Sequence, residues 1–563
     1  MTETSETIPA TEYAVQLVGP EKLELNTAKP VPAVGPKQIL ARIEAVGLCF
    51  SDLKLLKQFS GHVRKGPIVD GLSPEVLGEI PSYVPDEQPT VPGHEGVCRI
   101  VAVGEEVTQH KVGERCLIQT DYRALKTAES VAAFGYNFEG ALQEYVLMDE
   151  RVIIDPASGR RFLIPVDEQL PASAVALIEP WACVEDSYVS PERQAIKPRG
   201  RLAVVAEAGV DLGQVDWPFD LAGKPLSLTA AVAEPAQAKA LESLNIAVTP
   251  LGSAEALEEE GYDDIVYFGS DPAVVETLND KQAKGGILCV CLNGAQLGRK
   301  VNMSVGRTHY GLIRWVGDTG TDAFAAYQRI CADGEIRDGD RILVVGAGGP
   351  MGQMHIIRDI CSGKAGLKIV GTDFDDQRLA SLNDKAGPMA AERGLTLELV
   401  NPKTDPPSGA FDYVALMAPV PQLVAEAIAQ ANDGCIVNVF AGIPATVKHE
   451  IDLDTVIARG VYVFGTSGSS IRDMEIVLEK VQARQLDTNA SIDAVCGMAG
   501  AAEGIAAVEN RTLAGKIIVY PQLHEMGLVP LETLGEHYPT VAEKLANGRW
   551  TRAAEEELLR VAQ

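Results

Sequence analysis

A glycine-rich unit in the second half of the chain constrains the fold more than any other feature. Within residues 341–382 an apolar run leads into a tight turn, a helical stretch follows, and a second apolar run ends at Asp373. The turn contains Gly346, Gly348, Gly349, Met351 and Gly352. This order is the strand–turn–helix–strand fingerprint of a dinucleotide-binding fold, whose glycines let the backbone approach a pyrophosphate at the helix N-terminus. We therefore predict a nucleotide site here.

The acidic residue after the second apolar run indicates which cofactor binds. Asp373 lies about 20 residues beyond the last glycine, where a carboxylate accepts hydrogen bonds from both ribose hydroxyls. A carboxylate there disfavours a 2′-phosphate, so NAD(H) is preferred over NADP(H), although nearby Arg378 keeps NADP(H) open. We assign the five turn residues, Asp373 and Arg378 to cofactor binding.

Length and charge exclude several classes of function. The chain has 563 residues, which predicts about three or four domains. Its net charge of −29 provides no basic field for nucleic acid or an anionic membrane. The ten cysteines are scattered, the N-terminus lacks the basic and apolar parts of a signal peptide, and no apolar run is long enough to span a bilayer. We expect a cytoplasmic protein.

Four residues in the N-terminal third have side chains that zinc prefers. They are Cys49, His94, Glu95 and Glu179, which offer a thiolate, an imidazole and two carboxylates. Each also has an ordinary interpretation: the cysteine as a small core residue, His94 as part of a turn, and Glu179 as a solvated carboxylate. Spacing alone favours these ordinary roles over a metal site.

The segments around these four residues, together with the glycine-rich unit, resemble the zinc-dependent medium-chain dehydrogenase/reductase family. The similarity is greatest to the polyol and threonine dehydrogenase branch, and the motifs EPWACVEDSY, GAGGPMGQMH and GKIIVYPQL are similar to its L-sorbose-1-phosphate reductase-like members. The resemblance implies an α/β fold with a GroES-like, β-rich catalytic domain and a Rossmann domain, a doubly wound parallel sheet. It makes Cys49, His94 and Glu95 zinc ligands, and places Glu179 on the zinc directly or through its water.

The resemblance also implies how protons move, with two departures from the family pattern. Ser51 corresponds to the hydroxyl that takes the proton of the substrate alcohol, whereas Lys54 stands where many relatives have a relay histidine. A lysine can serve in a proton relay only if its pKa is lowered. The sequence therefore does not define the route of the proton to solvent. Residues 117–149 contain no cysteine, and we therefore predict one catalytic zinc and no structural zinc.

An internal repeat fills most of the remaining chain. Residues 198–332 resemble residues 339–485, with four glycine pairs and the pair Asp264/Asp412 at one constant offset. In the first copy Ala206 and Ala208 replace turn glycines, and Glu207 and Asp211 add carboxylates where a pyrophosphate would lie. We predict a degenerate Rossmann domain without a nucleotide site. The predicted domains are 1–197 (GroES-like), 198–332 (degenerate Rossmann), 333–486 (NAD-binding), 487–525 (return to the catalytic domain) and 526–563 (helical tail).

The repeat suggests an intrachain pseudo-dimer. Enzymes that this chain resembles commonly dimerise by pairing the last strands of two nucleotide domains, and an unpaired sheet edge must be covered. The matching terminal strands are expected at 311–316 and 460–464. We therefore expect the two copies to join in one continuous sheet, possible further homo-oligomerisation being left open. The acidic tail is expected to serve packing or an interface.

Together these features predict a zinc-dependent, NAD(H)-linked dehydrogenase that interconverts a secondary alcohol or polyol with its ketone. One alternative is a zinc-free enone or quinone reductase of the same fold, and another is a non-catalytic nucleotide-sensing or scaffold protein. The substrate is a small molecule that the sequence leaves undefined. A basic loop at residues 54–65, which includes Arg64 and Lys65, suggests a phosphorylated one.

Overall fold

The structure, a computed structural model, describes residues 7–562 and divides into two compact units. The β-rich unit comprises residues 1–185 and 469–563, and the two-sheet unit comprises residues 186–468. The residues that open the chain, which the sequence interpretation treats as lacking a signal peptide, lie partly outside the described range. No helix among residues 7–562 is both long and apolar enough to cross a bilayer.

The first part of the β-rich unit consists mainly of short antiparallel strands. The strands are β1 (Thr11–Gly19), β2 (Lys22–Pro30), β3 (Gln38–Gly47), β4 (Glu95–Val103), β5 (Arg115–Ile118), β6 (Asp121–Lys126), β7 (Val131–Ala133), β8 (Tyr145–Asp149) and β9 (Leu163–Pro165). The helices are α1 (Phe50–Gln58), α2 (Pro74–Gly78), α3 (Ala172–Ala176) and α4 (Ile178–Val189), the last of which runs across the boundary between the units.

The two-sheet unit alternates parallel strands with helices. Its strands are β10 (Arg201–Ala206), β11 (Ser227–Val232), β12 (Val248–Pro250), β13 (Tyr262–Phe268), β14 (Gln282–Cys291), β15 (Val301–Met303), β16 (Arg314–Asp318), β17 (Arg341–Val345), β18 (Lys368–Thr372), β19 (Thr396–Val400), β20 (Phe411–Leu416), β21 (Ala431–Asn438), β22 (His449–Ile451) and β23 (Tyr462–Phe464). Its helices are α5 (Pro235–Glu242), α6 (Pro272–Lys281), α7 (Val305–Tyr310), α8 (Ala323–Gln328), α9 (Pro350–Cys361), α10 (Asp376–Glu392), α11 (Pro421–Ala429) and α12 (Leu453–Arg459).

The chain then returns to the β-rich unit. The remaining elements are α13 (Ile471–Gln482), β24 (Ile492–Cys496), α14 (Ala501–Asn510), β25 (Lys516–Val519), β26 (Val529–Pro530), α15 (Leu534–His537), α16 (Pro539–Ala542) and α17 (Arg552–Val561). Strands β24, β25 and β26 join the main sheet of the unit, whose order is β26-β24-β25-β3-β4-β5-β9 with β8 also paired to β3. The returning segment therefore lies beside the strands that carry the candidate metal ligands.

The two sheets of the two-sheet unit have the same topology. Their orders are β12-β11-β10-β13-β14-β16 and β19-β18-β17-β20-β21-β23, and neighbouring strands within each sheet are parallel. In each sheet the first strand in sequence is central and the chain reverses direction there, which is the doubly wound order of a Rossmann domain. The predicted fold class is confirmed: an α/β protein with a β-rich domain and Rossmann-like parallel sheets.

The predicted continuous sheet is wrong. The two parallel sheets are separate, and the backbone pairing between the copies falls instead to a short antiparallel ladder between β15 and β22. The edge strands β16 and β23 do lie side by side. A side chain rather than the backbone connects these two edges. The buried guanidinium of Arg314 in β16 donates to the Gly465 carbonyl at 3.2 Å and to both oxygens of Glu192.

The domain boundaries also differ from those predicted at 197 and 486. The unit boundaries fall after residues 185 and 468, so α13 belongs to the β-rich unit. Ion pairs hold α13 there, since Lys480 bonds to Glu185 and Glu475 bonds to Arg160. The two copies share one apolar core rather than forming two separate domains. The sequence repeat continues into α13 and therefore does not mark the structural boundary.

Candidate metal centre

Three of the four predicted ligands lie together in the β-rich unit. Cys49 is the N-cap residue of α1, while His94 and Glu95 lie at the start of β4. Strands β3 and β4 are antiparallel with Gly47 opposite Glu95, so the register brings the end of one strand to the beginning of the other. The candidate ligand atoms of Cys49, His94 and Glu95 lie within 4.8 Å of one another.

Asp52 orients two of these ligands, although the sequence interpretation did not single it out. Its carboxylate contacts Nδ1 of His94 at 3.0 Å and accepts from the backbone N–H groups of Cys49 and Gly93. Burial raises the pKa of Asp52, but the charge and hydrogen bond of His94, the Cys49 N–H and the charge of Lys516 together outweigh it and lower the pKa. With Nδ1 engaged, Nε2 is the nitrogen of His94 that remains for a metal, which is a common carboxylate–histidine arrangement at zinc sites.

Lys516 of β25 is the second residue that the sequence interpretation missed. Its ammonium donates to Oε1 of Glu95 at 2.6 Å and to the carbonyl of Leu48 at 2.7 Å, and both side chains are buried. Burial lowers the pKa of Lys516, but the charges of Glu95, Cys49 and Glu179 and the hydrogen bond to Glu95 together outweigh burial and raise the pKa. Lys516 therefore holds one oxygen of Glu95 in place.

The other oxygen of Glu95 is the observation that best fits a bound cation. Oε2 is buried without a hydrogen-bond partner, and a buried carboxylate oxygen ordinarily finds one. Space for this oxygen depends on a glycine, because a Cβ atom at Gly47 would lie 2.2 Å from it. A thiolate, an imidazole nitrogen and a carboxylate oxygen facing one point form a donor set suited to zinc.

Glu179 neighbours the three ligands without joining them. It lies in the first turn of α4 and is half-buried, and the charges of His94 and Glu95 both act on it. Burial raises the pKa of Glu179 to about 7. Of the predicted proton-transfer residues, Ser51 is half-buried in the first turn of α1, and Lys54 is exposed above the ring of Phe50. Their roles in proton transfer stay predictions.

Of the two residues of the basic loop that suggest phosphate binding, Arg64 and Lys65, only Arg64 is partly accessible. Lys65 is fully buried and bonds to the carbonyls of Val84 and Gln88, so its prediction as a phosphate ligand is wrong. Arg64 lies beside the ring of Tyr136 and bonds to Asp121 at 2.6 Å. The Tyr136 ring in turn neighbours His94, with ring centroids 5.8 Å apart.

The predicted nucleotide turn lies between β17, a central strand of the second sheet, and α9. Gly346 has φ of +85°, and a Cβ atom at Gly352 would lie 2.2 Å from the Gly346 carbonyl oxygen. The N–H of Gly348 donates to Oδ2 of Asp373 at 3.0 Å, which fixes the acid beside the turn. Met351 lies in the first turn of α9, and Arg378 is drawn toward Asp375, with Nε and Oδ2 3.7 Å apart.

In the first copy the equivalent turn is occupied by protein groups. The carboxylate of Glu207 accepts from the hydroxyl of Tyr267 and from the N–H of Asp271. One hydrogen bond is common to both copies. The N–H of Gly209 donates to the Glu234 carboxylate at 3.1 Å, as the N–H of Gly348 donates to Asp373 in the second copy. The loss of the second nucleotide site stays a prediction.

Comparisons with known proteins agree with the fold. Residues 35–157 match the model of the alcohol dehydrogenase GroES-like domain, the segment that carries Cys49, His94 and Glu95. Mannitol-1-phosphate 5-dehydrogenase of Aliivibrio fischeri is 23% identical over 64% of this chain and 87% of its own length. Sorbitol dehydrogenase of Bacillus subtilis is 24% identical over 50% of this chain and 76% of its own length. Together these matches support a zinc-type medium-chain dehydrogenase family for this chain.

A solved structure supports the fold of this dehydrogenase. The crystal structure of 2R,3R-butanediol dehydrogenase from Bacillus subtilis superposes with a TM-score of 0.50 at 15% identity, covering 91% of this chain and all of the other. The matched domain and the two curated relatives support an oxidoreductase of the alcohol and polyol dehydrogenase type. Its family implies zinc and NAD(P) as cofactors.

Proposed function

We propose that this dehydrogenase is zinc-dependent and NAD(H)-linked, and interconverts a secondary alcohol or polyol with its ketone. The convergence of Cys49, His94 and the unpaired Oε2 of Glu95 carries the proposal. Cys49, His94 and Glu95 would hold one catalytic zinc, with Glu179 beside it as an exchangeable ligand or water partner. When bound, zinc supplies Lewis acidity at the substrate oxygen and NAD supplies the hydride acceptor.

The protein groups provide proton handling and orientation. Ser51 would accept the alcohol proton and pass it toward solvent, where Lys54 lies exposed. Asp52 keeps His94 in one tautomer and ring orientation, and Lys516 holds the Glu95 carboxylate in place. Partners of this kind tune a metal site as strongly as many direct ligands do.

Elemental analysis and a substrate panel test the proposal. We expect about one zinc per chain and NADH formation with at least one polyol, sugar phosphate or 2-amino alcohol. A zinc-free protein that reduces enones would favour the enone reductase alternative. Binding of NADH without turnover of any panel member would favour a nucleotide sensor.

Cofactor preference gives the first mutational prediction. Asp373, Asp375 and Asp376 follow the end of β18, and their combined negative charge would disfavour a 2′-phosphate there. We expect kcat/KM for NAD to exceed that for NADP at least tenfold, about 1.4 kcal/mol. Asp373→Ala should reduce this ratio, whereas Asp405→Ala, at an exposed acid outside the turn, should leave it unchanged. Equal kcat/KM values in the unsubstituted enzyme would contradict the assignment.

We also propose that the substrate is phosphorylated and that Arg64 binds the phosphate. A guanidinium has five N–H donors, and the bond to Asp121 uses one terminal nitrogen. We expect Arg64→Ala to raise KM for a sugar phosphate about tenfold while KM for the unphosphorylated sugar changes little. Lys65→Met is the matched control, because the buried Lys65 cannot reach a substrate. Equal KM changes for the two substrates in Arg64→Ala would exclude phosphate recognition.

We also propose that the two copies form an intrachain pseudo-dimer. The antiparallel β15–β22 ladder and the bond from Arg314 of β16 to the Gly465 carbonyl, just after β23, support it. The first copy then covers the sheet edge that a second chain would otherwise cover. A homodimer built through β23 in solution would overturn this arrangement, while further oligomerisation through other surfaces would not. A cytoplasmic location stays part of the proposal, in keeping with ten free thiols.

A further inference from the structure

The C-terminal helix α17 buries a carboxylate against the core of the β-rich unit. Glu555 is only 5% exposed, and its two oxygens accept from three donors. The backbone N–H groups of Ala172 and Ser173 donate at 2.6 and 2.8 Å, and the hydroxyl of Tyr520 donates at 2.9 Å. The indole of Trp550 donates to the same hydroxyl at 3.1 Å. Helix α17 is therefore fixed by hydrogen bonds as well as by apolar packing.

These three donors lie on segments that lead directly to the metal centre. Ala172 and Ser173 begin α3, and α4 follows immediately with Glu179 in its first turn. Tyr520 follows β25, whose first residue Lys516 bonds to Glu95. One carboxylate of the tail thus joins the segment that carries Glu179 to the segment that carries Lys516.

The local sequence of α3 explains why it needs this distant partner. The N–H groups in the first turn of a helix have no partner within the helix. The N-cap residue of α3 is Pro171, which has no side-chain acceptor to cap them. Glu555 supplies both oxygens from 383 residues away, and hydrogen bonds to an ionised carboxylate are short and strong.

We propose that Glu555 is a positioning residue of the metal centre: by holding the start of α3 and the end of β25 together, it fixes Glu179 and the Lys516–Glu95 pair relative to Cys49 and His94. The inference rests on the proposed zinc function. It gives the tail a role in the chemistry of the site as well as in packing.

The test compares Glu555→Gln with Glu556→Gln in the full-length, zinc-loaded protein. Glu556 is exposed on the same helix and pairs with Arg552, so its replacement removes the same charge without touching α3 or β25. An amide keeps one acceptor oxygen and turns an N–H₂ group toward the donors. We expect Glu555→Gln to lose zinc to a chelator about tenfold faster and to lower kcat/KM about tenfold. Glu556→Gln should stay within about twofold of the parent.

The cobalt-substituted proteins separate positioning from general stability. We expect the visible absorption bands of Co²⁺ to shift in Glu555→Gln and to stay unchanged in Glu556→Gln. A variant that melts at a lower temperature but keeps the parental Co²⁺ spectrum, zinc-loss rate and kcat/KM would overturn the proposal. In that case Glu555 would only hold the tail.

A second variant covers the case in which Glu555→Gln does not fold. Tyr520→Phe removes the bond from Glu555 to the end of β25, together with the acceptor of the Trp550 indole, and leaves both α3 bonds in place. We expect zinc loss about threefold faster than in the parent, as for one hydrogen bond, and an unchanged rate would overturn the proposal. If the parent itself binds no zinc, the proposed function fails and this inference fails with it. Zinc in the parent with unchanged variants defeats the inference alone.

Discussion

Replacing His94 by alanine should remove bound zinc and lower kcat/KM about a thousandfold, or ~4 kcal/mol of transition-state stabilisation. The imidazole is one of three side chains that converge on one point, and Asp52 presents its Nε2 there. Cys49→Ser should have a similar effect, because a hydroxyl is a far weaker zinc ligand than a thiolate. NADH binding should be nearly unchanged, since the glycine-rich turn belongs to the separate two-sheet unit.

Zinc content, kcat/KM and NADH fluorescence titration measure these three effects. His62→Ala is the matched control: its ring also neighbours Tyr136, with centroids 5.1 Å apart, but it is not among the three grouped ligands. The control should keep its zinc. Stoichiometric zinc or a near-native kcat in His94→Ala would show that the metal centre is misplaced.

Lys516→Met should destabilise the zinc-free protein by about 3 kcal/mol, because it leaves the buried Glu95 carboxylate without its charge partner. The methionine preserves the length and apolar volume of the side chain, so packing contributes little. Zinc supplies a replacement positive charge at Glu95, and we therefore expect the loss to be much smaller in the zinc-loaded protein. The rise in melting temperature on zinc binding should be larger in the variant than in the parent.

Urea unfolding with and without zinc measures this difference. Lys57→Met is the control, because Lys57 pairs with Glu509 at 2.6 Å on the surface, with both side chains more than a third exposed. An exposed ion pair contributes about 0–1 kcal/mol to stability. The loss of stability in Lys57→Met should therefore be small and the same with and without zinc. Equal losses for Lys516→Met in both states would show that Lys516 does not act through Glu95.

The sequence indicates the three candidate ligands but not the residues that hold them. Cys49, His94 and Glu95 were assigned through motifs that match a family, and the structure places them together. Asp52 lies in the same motif as Cys49, yet an acid in the first turn of a helix ordinarily indicates only favourable helix electrostatics. Lys516 lies 421 residues from Glu95, and no local pattern indicates such a pair. Glu555 was missed for the same reason.

The repeat shows what a sequence pattern determines and what it leaves undetermined. Strand order and the paired glycines follow from local patterns that each copy contains, so the parallel sheets could be predicted. How two sheet edges meet depends on side chains from other segments. Here Glu192, which lies outside both sheets, bonds to Arg314 of β16 and to Tyr462 of β23. Lys65 illustrates the same limit, because its burial depends on carbonyls at Val84 and Gln88 that the basic loop does not reveal.

The β15–β22 ladder has the reciprocal register of a two-fold axis, although both strands are on one chain. Val301 pairs with Ile451 and Met303 pairs with His449, so each end of one strand meets the opposite end of its counterpart, as in a symmetric dimer. In a homodimer every substitution changes both sides of such a contact at once. Here β15 and β22 are encoded by different parts of the same gene, so a substitution can change one strand and leave the other unchanged. Pairing is also intramolecular, so it does not weaken on dilution.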